Sequence, residues 1–124
     1  MDKYTFKKET GKKITKFQSD FIMSRITKTQ KDAHIGCMHL DEHGVIGYHQ
    51  AVVPQLLLVV KGEGMVRGEE ERFTPVKSGD AVYWEKGEWH ETKTKTGLTA
   101  IVIESEELDI STLKPALNED GISE

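Results

Sequence analysis

Apolar residues in this chain fall in short runs separated by polar turns. FIMSRITK (21–28) and AHIGCMHL (33–40) flank the polar TQKD, and DEHG (41–44) reads as a turn by composition. VIGYHQAVV (45–53) is rich in β-branched residues and stops at Pro54. QLLLVV (55–60) is apolar without alternation, which predicts a strand buried on both faces. GEG (62–64) is expected to turn that strand back into MVRG. Acidic EEE (69–71) leads to RFTPV, KSGD (77–80) leads to AVYW, and EKGEW (85–89) leads to HETKT. LTAIVIE (98–104) is the last strong strand pattern. Between 20 and 104 no segment keeps a helical apolar period for three turns. Only the tail, EELDISTLKPALNE, predicts a helical turn, and Pro115 limits it. About eight or nine strands, with turns every 8–12 residues or so, describe a β-sandwich or small barrel. There is no internal repeat and no low-complexity tract.

A length of 124 residues fits one domain. Only 36% of residues are hydrophobic and 31% are charged, but the clustering of the apolar ones argues for a folded core. The net charge of −4 comes without a basic stripe, so nucleic acid is not the expected partner. Charge is uneven: residues 1–20 carry six lysines, and 104–124 carry seven acids against Lys114. The two ends are either solvated tails or attract one another, within a subunit or across a dimer. The single cysteine, Cys37, allows no internal disulfide and is expected to be an inert core thiol. Met23, Met38 and Met65 are expected in the core. No apolar run approaches membrane-spanning length, which points to a cytoplasmic protein without a membrane partner.

Two spaced motifs carry a resemblance. One runs Gly79, five residues, Glu85-Lys86-Gly87, two residues, His90, three residues, Thr94. The other offers Gly44, His49, Ala51, Gln55 and, after six intervening residues, Gly62. Together they resemble the cupin family, whose second motif has proline where Glu85 stands and asparagine where Thr94 stands. In its first motif a second histidine and a glutamate occupy the places of Ala51 and Gln55. The resemblance implies an all-β double-stranded β-helix, or jelly-roll barrel, over residues 33–104. It also implies pairing into a homodimer. Residues 1–32 would then be N-terminal strands, available to a partner subunit, and 105–124 an acidic tail.

Metal-bearing cupins usually present three histidines and a glutamate. Here the matching positions offer His49, His90 and the amide oxygen of Gln55, a depleted set for iron, manganese, nickel or zinc. A metal held there and a metal-free pocket both remain open. On one unbroken strand His49 and Gln55 would share a face but lie roughly 20 Å apart, so the chain is expected to bend near Pro54. Glu85, at the expected cavity mouth, is the candidate acid or base, and Trp84 and Tyr83 are candidate pocket walls. By strand alternation Glu91 should point away from His90, and Glu88 should sit solvated in a turn. HLDEH (39–43) matches a zinc-protease pattern that works only on a helix, and its strand-and-turn surroundings exclude that use. His39 would be at most a replacement ligand, and His34 and His43 are expected to be exposed. The expected function is a barrel binding a small polar molecule in a His/Gln-lined cavity. The alternative is a metal-dependent oxygenase or isomerase acting on a small polar substrate.

Overall fold

The computed structural model of the chain describes residues 1–116. In order, the strands are β1 (Asp2–Thr5), β2 (Lys12–Ile14), β3 (Phe21–Met23), β4 (Ala33–Leu40), β5 (Val45–Gln50), β6 (Gln55–Arg67), β7 (Thr74–Lys77), β8 (Asp80–Trp84), β9 (Trp89–Lys93), β10 (Leu98–Ser105) and β11 (Lys114–Pro115). Two single-turn 3-10 helices, Lys8–Thr10 and Lys16–Gln18, flank β2. All strand pairings are antiparallel. One sheet runs β11-β1-β8-β6-β10-β4; a second joins β7, the far half of β6, β9 and β5, and β2-β3 form a small ribbon. The result is a jelly-roll β fold in which β6 belongs to both walls.

That double membership corrects the turn expected at GEG. β6 continues through Gly62-Glu63-Gly64 and changes partners there. Gln55–Leu58 pair with β8, whereas Glu63–Val66 pair with β7. The register against β10 slips at Thr99/Ala100, the mark of a β-bulge. Gly62 sits at φ +83°, and a Cβ there would collide with the carbonyl oxygen of Gly97. Glycine therefore lets the strand bend from one sheet into the other without losing its neighbours.

Two apolar clusters explain why QLLLVV lacks alternation. Leu57, Val59, Val66, Val82, Trp84 and Val102 pack with their neighbours between the sheets. Leu56, Leu58 and Ala81 face the other way and pack under Leu108, Leu113, Phe6 and Ile26. The outer side of the first sheet is thus covered by segments before β4 and after β10. β1 pairs with β8 of its own chain. The basic start and acidic tail also meet within the chain, but through backbone: β1 pairs with β11, and Lys28 bridges Asp109. Among the described residues no ion pair joins the lysines of 1–20 to acids beyond 104; Lys3 and Lys7 instead flank buried Asp80. The described part of the tail, through Ala116, holds no helical turn; the remainder of the predicted turn lies outside the described residues.

Two core expectations are corrected. Cys37 is exposed, because its parity on β4 puts it on the outer face at the sheet's end. Met23 lies on the small ribbon and is also exposed, whereas Met38 packs against the core. Among the described residues no helix is long and apolar enough to cross a membrane.

Candidate ligand chamber

The ends of β5, β8 and β10 and the starts of β6 and β9 meet at one mouth of the barrel. β5 stops at Gln50 and β6 begins at Gln55, so Ala51–Pro54 carry the chain from one sheet to the other. His49 lies directly opposite His90 in the β5–β9 register, with ring centroids 4.3 Å apart and planes at 56°. Across the barrel, Gln55 is the register partner of both Trp84 on β8 and Glu104 on β10. Trp84 links the two walls by stacking on His90, with centroids 4.5 Å apart.

A short network fixes this rim. Glu88 N–H donates to Glu85 O at 3.1 Å, closing the β8–β9 turn, and the Glu88 carboxylate accepts the Glu85 N–H at 3.1 Å. The family's proline has no N–H to give, so glutamate at 85 gains a bond that proline lacks. Gly87 N–H donates to Ala51 O at 2.8 Å, and Ala51 N–H donates to Glu88 O at 3.0 Å. The turn before His90 is thereby tied to the segment after His49. At the motif's last position, Thr94 Oγ1 donates to Glu63 O and accepts Gly97 N–H, pinning the β9–β10 turn.

Both imidazoles are oriented through Nδ1. His49 Nδ1 lies 2.7 Å from Gly47 O, and His90 Nδ1 lies 3.2 Å from Glu88 O. A carbonyl only accepts, so neutral rings carry the proton on Nδ1 and leave Nε2 as an acceptor. Burial lowers the pKa of His90, and the neighbouring His49 lowers it further; its bond to Glu88 O and the carboxylates of Glu88 and Glu104 act the other way. His90 is buried and His49 exposed at the rim. Among the described residues, three buried side-chain polar atoms have no partner: Gln55 Oε1, Trp84 Nε1 and His90 Nε2. Leaving such an atom unpaired costs about 1–3 kcal/mol.

His49, Gln55, His90 and Trp84 therefore share one end of the barrel interior. Tyr83 and Glu85 do not. Tyr83 faces out and packs with the outer cluster, where burial and the Glu85 charge raise its pKa. Glu85 is exposed at the end of β8, beside Tyr83 rather than His90. Glu91 points away from His90 and pairs with Arg67 at 2.9 Å. Glu88, read as solvated, is half-buried and holds the turn. HLDEH runs from β4 into a turn with His43 at φ +62°, and His34, His39 and His43 are all exposed.

Glu104 escaped the reading of the sequence. Gln55 Nε2 donates to its carboxylate at 2.9 Å, and its charge acts on His90. The signal was present: Leu98, Ala100 and Val102 point inward by alternation, and Glu104 continues their parity. His34 faces Glu104 in the β4–β10 register, so it sits at the same mouth.

The barrel and its one-ended polar chamber define the class. The Cupin domain family model matches residues 36–105, more than half of the chain, and the chain belongs to the cupin family. Solved structures agree on the fold. A conserved protein of unknown function from Streptococcus pyogenes is similar at 15% identity and TM-score 0.57, over 64% of this chain and 68% of that one. An RmlC-like cupin from Shewanella frigidimarina shows 19% identity and TM-score 0.57 over 64% and 70%. A predicted oxalate decarboxylase from Thermotoga maritima shows 20% identity and TM-score 0.52 over 61% and 64%. No curated protein matches the sequence.

Cupins commonly hold a metal, but these side chains do not fit a resident one. Among the described residues no three His, Cys, Asp or Glu side chains are grouped to hold a metal. His49 and His90 offer two nitrogens and Gln55 a neutral oxygen, and Glu104, which lies beside Gln55, is not grouped with the two histidines as a third ligand. A divalent ion held by these three neutral donors would have no carboxylate ligand to balance its charge, at high desolvation cost.

Proposed function

We propose that this cupin binds a small polar molecule at the chamber formed by His49, Gln55, Trp84 and His90. The observation that carries the reading is the set of buried atoms without partners, Gln55 Oε1, His90 Nε2 and Trp84 Nε1. Buried polar groups are normally satisfied, and a cluster of exceptions on a barrel interior marks where a guest supplies the missing bonds. Two of the three atoms accept and one donates, so the guest brings both kinds of group. The enzymatic alternative, an oxygenase or isomerase, lacks an acid or base at the chamber from Glu85, which is exposed beside Tyr83.

The test is thermal denaturation of untagged protein across a panel of small polar metabolites. A ligand at 100 times its Kd stabilises the fold by about 2.7 kcal/mol, a rise of several degrees in Tm. The rise is expected in wild type and in His43→Ala, and absent in His90→Ala and Gln55→Leu. A panel without any His90-dependent rise refutes the reading. Elemental analysis of the same protein is expected to find iron, manganese, nickel and zinc far below stoichiometric. Near-stoichiometric metal that disappears in His49→Ala would replace this reading with the metal-dependent one.

A further inference from the structure

Resting on that reading, we infer that the chamber selects a small protonated amine that also carries an oxygen. The Glu104 carboxylate can only accept, so it fixes the Gln55 amide with its NH2 group on Glu104 and leaves the buried Oε1 without a partner. The chamber then presents Glu104 oxygens, Gln55 Oε1 and His90 Nε2, all acceptors. An ammonium group has three donors and no acceptor, the complement of that set. The one donor, Trp84 Nε1–H, takes the oxygen of the same molecule.

Charge points the same way. Among the described residues no lysine, arginine or histidine forms an ion pair with Glu104. Beside this mouth a cleft of about 520 Å³ shares Glu104 with the chamber; Asp32, Glu104 and Glu106 line it together with Lys31 and His34, so its carboxylates outnumber its one lysine. A half-buried carboxylate whose assigned partner is a neutral amide gains most from a cation, because charge-assisted hydrogen bonds are roughly twice as strong as neutral ones. A carboxylate guest would meet Glu104 as a like charge. A neutral diol could satisfy the acceptors but would leave the Glu104 charge uncompensated.

The experiment is a ¹⁵N–¹H NMR titration of the full chain, following the Trp84 indole N–H, assigned by Trp84→Phe. Three matched probes are 3-aminopropanol, 1,3-propanediol and 3-hydroxypropionate. The amine is expected to shift the Trp84 signal saturably, at an affinity about tenfold or more above the other two. In Glu104→Gln, with the rest of the spectrum unchanged to show an intact fold, that advantage is expected to vanish. Diol or hydroxy acid binding as tightly as the amine, or an unchanged preference in Glu104→Gln, overturns the inference while leaving a His90-dependent chamber standing. No response of Trp84 to any probe overturns the amine assignment, and a metabolite panel that also finds no ligand then removes the chamber reading with it.

Discussion

Burial of His90 makes its protonation a stability variable. The folded pKa lies below the ordinary value, with burial the main cause and His49 adding to it. An unfolded histidine titrates near about pH 6.5. As pH falls through that value the unfolded chain takes up the proton first, so the stabilisation is complete above it and is lost progressively below. The groups facing the ring are His49 on β5, Trp84 on β8, Glu104 on β10 and Glu88 in the turn, and the two carboxylates soften the loss without reversing it. Unfolding free energy from urea titrations should fall between pH 7 and 5.5, and His90→Gln should flatten that slope. An equal slope in both proteins would place the titration elsewhere. The same residue shows what could be read beforehand. The motif spacing picked out His49, Gln55 and His90 because glycine and histidine positions survive as letters. Glu104 did not register, because its role depends on strand parity and on which strand lies beside Gln55. Glu85 and Tyr83 misled because closeness in sequence to Trp84 and His90 says nothing about face: residues adjacent on a strand point to opposite sides of a wall.

Strand existence was legible wherever one wall of the barrel is covered on a regular period. AHIGCMHL matches β4 residue for residue, and LTAIVIE differs from β10 by only its last residue. N-terminal strands were expected within residues 1–32, but β1 could not be located there because its DKYT pattern is too short to show alternation; its place follows from pairing with β8. The GEG segment failed for a more instructive reason. Two glycines near a charged residue look like a turn, but here they are a bend within a strand that must serve two sheets. At Gly62 the backbone is left-handed and the Gly97 carbonyl occupies the space of a Cβ. Gly62→Ala therefore combines a conformational penalty of about 1–2 kcal/mol with a backbone clash. Denaturant unfolding should show a loss larger than that penalty alone. Gly36→Ala is the control: nothing lies within 4 Å of a Cβ there, and its φ is not in the positive region. Equal stability of the two variants would show that β6 does not bend under this constraint.

At the scale of the whole molecule, the least protected feature is the free edge of β4. Among the described residues β4 pairs with β10 alone, and its sequence, AHIGCMHL, contains no lysine, proline or bulge to blunt it. Natural edges of this length usually carry one of those devices, because unpaired backbone groups recruit another strand. Ile35 is 68% exposed and Cys37 is exposed beside it, opposite the half-buried Ile103 and Ile101. The homodimer that the cupin resemblance implies would cover this edge if β4 paired with its own counterpart around a twofold axis. An antiparallel strand can pair with itself under that symmetry, and the contact is isologous and closed, so it ends at the dimer. The chamber opens at the Ala33 end of β4, and Cys37, near the strand's centre, lies several residues from the mouth. Light scattering should give twice the 14.0 kDa of the chain. Ile35→Lys places a charge within that contact and should yield a monomer that keeps its fold. A wild-type monomer at high protein concentration, or a dimer indifferent to Ile35→Lys, would mean that the apolar edge is tolerated in water or that the copies meet through another face.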